Sequence, residues 1–419
     1  MWTPALGRLV RKMEKKDFKL FISLVLWALV PSIYMLIRMN IVSINSVDIN
    51  ILGQMEWFDL IDEIIVTTLT VPLYFLLKPE KSSAHKNGFA FLLSFGIYLI
   101  FTLIIALKVG TIAEFMNASY ATQYLFLQSF SLLISYISTF MILLFTLNED
   151  HRTVGILLIC KLILLALLDY IFISKFKDIG ASYSEIIVNS LVAVVATSLA
   201  FYRKYIRFGK CELSWIKDWG KIGLFSGIQI FLDNFFYAIM VVKMVNAVAE
   251  SGNYWIANNF IWGWLLVPVN CLAEIIKKNN LEKLKFKNTW VYAIGIAALW
   301  VITMPFWNWF VSHPMASDST LVKSIVFPVM PFYLFFIPSV LIDAWFVSKG
   351  KTIYTMINSL VCNIGYYGIL FILFNKGVFT MNMHFIIFMF GFGLAFHLLV
   401  SIVLYIIEQK RLEKVVQKK

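Results

Sequence analysis

The residues best placed to do chemistry in this sequence are ionisable side chains stranded inside long apolar runs. Asp233 stands near the middle of one run beside Asn234, with Gln229 one helical turn earlier. One carboxylate and two amide oxygens are ligand types that a hard cation such as Na⁺ takes, so Asp233 is also the candidate metal ligand. The same carboxylate could carry an exchangeable proton instead, because desolvation disfavours its charged form.

A second acidic group comprises Glu56, Asp59, Asp62 and Glu63. Helical spacing puts Asp59 and Glu63 on one face with Asp62 close by, and Arg38, late in the preceding run, is the expected partner of Asp59. Lys161 and Asp169 are two turns apart and fall on roughly the same side of a helix, which predicts either a structural pair or a Lys161 that lines a cavity. Lys243 is expected to reach for the membrane surface along its aliphatic stem. Glu274 and Asp343 fall near helix ends, where solvated, gating and coupling roles are all open. Each of these positions matters because a charge at the centre of a membrane helix costs roughly 2.5–3.5 kcal/mol on insertion scales, so it must face protein or water.

Other chemistries are poorly supplied. Cys160, Cys211, Cys271 and Cys362 are dispersed with no C-x-x-C spacing, which supports neither a disulfide framework nor a zinc site. The five histidines are equally scattered, which argues against a metal-dependent membrane enzyme. No cofactor beyond a coupling ion is implied, and no obligatory protein partner is evident.

The elements that must position these side chains are membrane helices. The chain is 60% hydrophobic with a mean hydropathy of +0.80, more apolar surface than one soluble core can hide. Twelve stretches, near 18–42, 51–77, 88–110, 121–147, 153–174, 183–203, 221–246, 254–276, 289–312, 322–348, 353–375 and 383–408, have the length a helix needs to cross the hydrocarbon layer. They lack the short alternating strands of a barrel. Most of the 36 basic residues fall in alternate gaps, including both tails and the segments 78–87, 203–221 and 277–288. Short basic loops stay cytoplasmic, so both termini should be cytoplasmic and the crossings even in number. The net charge of +12 is then a topology signal, and nucleic-acid binding is a poor reading of it.

The longest polar interruption predicts a cytoplasmic linker at 204–220 between lobes 18–203 and 221–408, flanked by tails 1–17 and 409–419. Asp150-His151-Arg152-Thr153 opens the fifth stretch much as Lys349-Gly350-Lys351-Thr352 opens the eleventh, an internal repeat of the kind secondary transporters are built on. Pro31, Pro72, Pro268, Pro305, Pro328, Pro331 and Pro338 lie inside the stretches and predict bent helices. Trp and Tyr near the stretch ends fit interfacial belts.

Five segments resemble the multidrug and toxic compound extrusion (MATE) family and its wider superfamily of exporters and flippases. They are NEDHRTVGILLICKLILLALLDYIFI (148–173), DIGASYSEIIVNSLVAVVATSLAFY (178–202), GLFSGIQIFLDNFFYAI (223–239), ANNFIWGWLLVPVNCLAE (257–274) and FFIPSVLIDAWFVSKGKTIYTMINSL (335–360). The resemblance implies an all-α integral membrane protein of two six-helix bundles forming a V. It also implies a central cavity and export of a small molecule driven by inward Na⁺ or H⁺ across the plasma membrane. The chain departs from the family where the first stretch lacks an acid and where Leu165 and Ala166 stand near the family's asparagine. Asp343 also lies closer to Gly350 than the family's tenth-helix acid lies to its turn, while Asp233 keeps register. The expected function is therefore an antiporter for small amphipathic cations. Arg38, Lys161 and Lys243 keep open a flippase for an anionic lipid-linked saccharide, since phosphate needs positive charge. A membrane-embedded enzyme is the remaining rival.

Overall fold

The computed structural model describes residues 15–79, 81–210, 212–279 and 286–417, among which every regular element is helical. Cys211 and most of the basic tail 1–17 lie outside the described residues. The helices are α1 (Lys15–Ile44), α2 (Met55–Leu76), α3 (Ala84–Phe115), α4 (Thr122–Leu147), α5 (151–176), α6 (178–202) and α7 (Ile216–Ala247). They continue with α8 (Ser251–Leu265 and Val267–Lys277), α9 (Phe286–Thr303, extended by Trp307–Ser312), α10 (Val322–Ser348), α11 (Thr352–Asn375) and α12 (Met383–Gln417).

Each of the twelve predicted stretches thus falls on a helix. Nine helices among the described residues are long and apolar enough to cross a membrane, and α8 makes a tenth if its halves, bent by 50°, form one span. The chain is a multi-pass membrane protein. Its outward-facing residues fit a lipid solvent: Leu107, Ile302 and Tyr170 are 83%, 70% and 69% exposed.

Seven helical segments among the described residues end where the chain turns left-handed. Ser46, Asn117, Glu149, Lys204, Ala249, Gly350 and Gly377 all have positive φ just after a helix. At each, an amide one residue further on reaches back five residues, as Val47 N does to Val42 O and Lys351 N to Phe346 O, at 3.1 and 2.8 Å. Such bonds satisfy carbonyls that a helix end would otherwise strand in an apolar medium.

α5 and α6 run as one continuous helix of 52 residues except at Lys177, whose φ of 56° and ψ of −130° reverse the chain. Contacts on either side are symmetric about that residue: Ser184 donates to Asp169, and Arg203 pairs with Asp150. The pair is therefore an antiparallel hairpin, and the fifth and sixth predicted stretches are separate arms. Gly180 is required at the fold, since a Cβ there would lie 2.2 Å from the Phe172 carbonyl oxygen.

Packing divides the chain into a unit of 37–255 and a unit of 256–419 with the first 36 residues. The cuts fall inside α1 and α8, so 18–36 groups with the later residues and 221–255 with the earlier ones. The predicted linker 204–220 belongs to the first unit: Ile206, Trp215 and Trp219 are buried in a core with Leu73, Tyr136 and Phe140.

The proposed repeat has a structural counterpart within each half. Asp150, at the start of α5, pairs with Arg203 at the end of α6, and Lys351, at the start of α11, lies 3.7 Å from Glu408 late in α12. The polarity is reversed, and the register differs, since Asp150 aligns with Lys349 and Lys351 with Arg152.

Candidate functional site

Within the 37–255 unit, Arg38, Asp59, Asp169 and Glu185 come together along a seam of α1, α2, α5 and α6, and α7 joins it through polar contacts to α2. Arg38 is nine-tenths buried; its Nη1 lies 2.5 Å from Glu185 Oε1 and its Nε 3.4 Å from Asp169 Oδ2. Asp169 is fully buried and also accepts from the Ser184 hydroxyl. Two carboxylates around one guanidinium make a fixed internal cation with its charge already matched. Asp59 lies in the field of Arg38, Glu185, Asp62 and Glu56, but Arg38 makes its ion pairs with Asp169 and Glu185. Arg38 is also the base whose field reaches Asp59, as expected, and the α5–α6 hairpin brings two further acids, distant in sequence, to the guanidinium.

The four acids of α2 fan out as helical geometry dictates. Glu56 and Glu63, a heptad apart, both face α7: Glu56 accepts from the Tyr237 hydroxyl at 3.2 Å and Glu63 from Asn234 Nδ2 at 2.9 Å. Asp62, turned about 100° from Glu63 on the helical wheel, accepts from the Tyr98 hydroxyl of α3. Asp62 and Tyr98 line a small pocket with Phe58, Thr102, Ser129 and Leu132. Asp59 and Glu63 are the exposed acids of the four.

Small residues on α7 let it lie against α2. A Cβ on Gly223 would come within 2.6 Å of the Thr68 carbonyl oxygen, and one on Gly227 within 2.2 Å of Thr68 Oγ1. Asn234 Nδ2 also donates to Leu60 O at 3.0 Å, so the amide predicted to face a cation beside Asp233 is committed to α2 through its nitrogen. Asp233 and Gln229 lie one turn apart on α7, both half-buried. No cluster of three or more His, Cys, Asp or Glu suited to a metal occurs among the described residues.

The bases separate. Lys161 Nζ lies 3.5 Å from the Ser135 hydroxyl of α4 rather than on Asp169, which is taken by Arg38 and Ser184. Lys243 stands 3.5 Å over the Phe115 ring at the end of α3, a cation–π contact near the turns that close the helices. Glu274 pairs with Lys277 in a largely exposed contact of 2.7 Å.

Asp343 belongs to the other unit and to a different cluster. His397 Nε2 is 3.7 Å from Asp343 Oδ2, and Ser401 Oγ donates to Asp343 Oδ1 at 3.4 Å. Ser339 and Asn358 complete the group.

Sequence reasoning missed Glu185, Tyr98 and His397. Glu185 and His397 carried the signal already used for Asp233, an ionisable group within an apolar stretch. Tyr98 gave none, because its role depends on which helix faces Asp62.

No protein-family model matches the chain, and no curated protein matches it in sequence. Solved structures do match its shape. One described as an inward-facing multidrug resistance MATE family transporter of the MOP superfamily aligns over 93% of this chain and 96% of its own, with a TM-score of 0.71 and 15% identity. DinF-BH, described as a MATE multidrug transporter, aligns over 92% and 95% with a TM-score of 0.63 and 17% identity. A MOP superfamily transporter from Pyrococcus furiosus, described as having a binding pocket of reverse polarity, aligns over 92% and 95% with a TM-score of 0.62 and 15% identity. Nearly the whole length of this chain therefore follows a MATE-like fold.

Proposed function

We propose that this protein is a secondary transporter that exports small amphipathic cations in exchange for Na⁺ or H⁺. On this reading it crosses the plasma membrane twelve times with both termini cytoplasmic, and two lobes alternate access to the substrate. The observation that carries the choice of a cationic substrate is the capture of Arg38 between Asp169 and Glu185. With that guanidinium matched, Glu56, Asp59, Asp62, Glu63 and Asp233 outnumber the remaining base of the same seam, Lys161, and the excess is acidic. Carboxylates beside the aromatic hydroxyls of Tyr98 and Tyr237 suit a cation with an apolar body.

A flippase for an anionic lipid-linked saccharide needs the opposite balance, with Arg38 and Lys161 open to phosphate. The burial of Arg38 in ion pairs weighs against it. Asp233 remains the proposed coupling residue, as a Na⁺ ligand or a proton carrier. The test is resistance of cells to cationic dyes. The protein should confer resistance, and Asp233→Asn should remove it at equal expression. Unchanged resistance in the variant takes Asp233 out of the mechanism.

A further inference from the structure

The second charged cluster, in the unit formed by the first 36 residues and 256–419, has a geometry that the sequence did not suggest. His397 sits mid-way along α12, and both of its ring nitrogens connect to the same carboxylate. Nε2 faces Asp343 Oδ2 directly at 3.7 Å. Nδ1 reaches the other oxygen through two hydroxyls: 2.5 Å to Ser339 Oγ, 3.0 Å from there to Ser401 Oγ, and 3.4 Å on to Asp343 Oδ1. Asn358 Nδ2 holds Ser401 Oγ at 2.7 Å, and its Oδ1 accepts from Cys362 at 3.3 Å.

The supports and the titratable pair differ in exposure. Ser339, Ser401 and Asn358 are fully buried, whereas the His397 and Asp343 side chains keep 30% and 23% of their surface. A rigid polar ring thus presents an imidazole and a carboxylate to an accessible space in the middle of a membrane helix, where an ionisable group is costly unless it is used.

We infer that His397 and Asp343 form a proton-binding site. This rests on the antiport reading and deepens it by assigning the coupling ion. The proton balance closes within the ring. In the neutral imidazole, Nε2–H points at Asp343, Ser339 donates to the Nδ1 lone pair, and Ser401 donates to Asp343. A proton arriving from water adds to Nδ1, which then donates to Ser339 Oγ. The Ser339 hydroxyl turns to donate to Ser401 Oγ, whose own proton stays on Asp343. One hydroxyl rotation and release of the 3.4 Å contact from Asn358 Nδ2 to Nδ1 accommodate the change, Asn358 keeping its bond to Ser401; no heavy-atom bond forms or breaks, and the imidazolium finds its counter-ion already in place.

The titratable groups near this ring among the described residues come from three helices. α10 contributes Asp343 and Tyr333, with Lys323 exposed at its start; α11 contributes Cys362, Tyr366, which stacks on Phe396, and Tyr367, whose hydroxyl lies against Gly393. Further along α12, Glu408 is engaged by Tyr354, Lys351 and Arg411.

The test is histidine ring NMR of the full chain in detergent micelles, with ¹⁵N-labelled histidine. The chain has five histidines, and His397→Gln assigns the signal. The expected result is a His397 ring that titrates between about pH 5 and 9, with a midpoint displaced by at least about half a pH unit in Asp343→Asn and left in place by Asp233→Asn. Ser401→Ala, a milder change to the same ring, should also displace it. A His397 ring that does not titrate, or a midpoint indifferent to both Asp343→Asn and Ser401→Ala, overturns the inference. This readout needs no transport, so its failure is separate from failure of the exporter reading, which dye resistance reports.

Discussion

Arg38 Nη1 lies 2.5 Å from Glu185 Oε1, joining α1 to the second arm of the α5–α6 hairpin inside a single packed unit. With Asp169 on the other side, the guanidinium turns one fully buried and one half-buried acid from a cost into a fixed structural feature. Neutralising it alone should leave both carboxylates uncompensated, which typically costs about 3–5 kcal/mol. Arg38→Met should therefore melt far below the wild type in detergent, while Arg38→Met combined with Glu185→Leu and Asp169→Asn should recover much of the loss. A thermal melt of Arg38→Met equal to that of the wild type would contradict the assignment.

The contact of α7 with α2 makes a prediction about two glycines. At Gly227 an added methyl meets the Thr68 side chain, and at Gly223 it meets the Thr68 backbone carbonyl. Gly227→Ala should be rescued by Thr68→Ala, whereas Gly223→Ala should stay destabilised by about 1–3 kcal/mol in either background. Thermal melts of the four variants decide this, and equal rescue of both glycines would show that the helices are not so closely apposed.

An amide pair clamps the turn-side ends of the same helices. Asn246 of α7 exchanges two hydrogen bonds with Gln54 at 3.0 and 3.1 Å and donates to Met116 O at 2.8 Å, while Gln54 Oε1 also accepts from Trp57 Nε1 at 2.8 Å. Both residues are buried, so Asn246→Leu should leave several groups unsatisfied and cost about 1–3 kcal/mol. Hydrogen exchange at 45–54 and 244–252 should rise in the variant, and unaltered protection there would show that the amides do not act as a clamp.

The acids of α2 divide into two functional expectations. Glu56 and Glu63 are tied to α7 through Tyr237 and Asn234, so Glu63→Gln should weaken helix packing while a retained hydrogen bond softens the effect. Asp59 is exposed, and Asp59→Asn should lower cationic-dye resistance at unchanged protein level. If Glu63→Gln abolishes resistance and Asp59→Asn leaves it intact, the roles are exchanged.

Much of this was legible in the sequence. Length and apolarity placed the helices, and insertion cost identified Arg38, Asp62, Glu63, Asp169, Lys161, Asp233 and Asp343 as residues needing an explanation. Partner choice was legible only in part. The field of Arg38 reaches Asp59, its neighbour along the chain, whereas the reversal at Lys177 delivers Asp169 and Glu185 from far away. Lys161 and Asp169 share a side of α5, but side chains of α4 and α1 reach them first. Helix periodicity fixes which face a residue occupies and is silent on which helix that face meets. The same gap hid the packing units, whose boundaries fall within apolar helices where composition does not change.

The most direct test of the central claim is transport of a permanently cationic dye in liposomes holding the full chain, with pH and Na⁺ gradients imposed independently. The expected result is dye movement against its gradient when the coupling ion runs down its own, lost in Asp59→Asn and in Asp233→Asn. Dye that never moves under either gradient, with an anionic lipid-linked saccharide flipped instead, would contradict it.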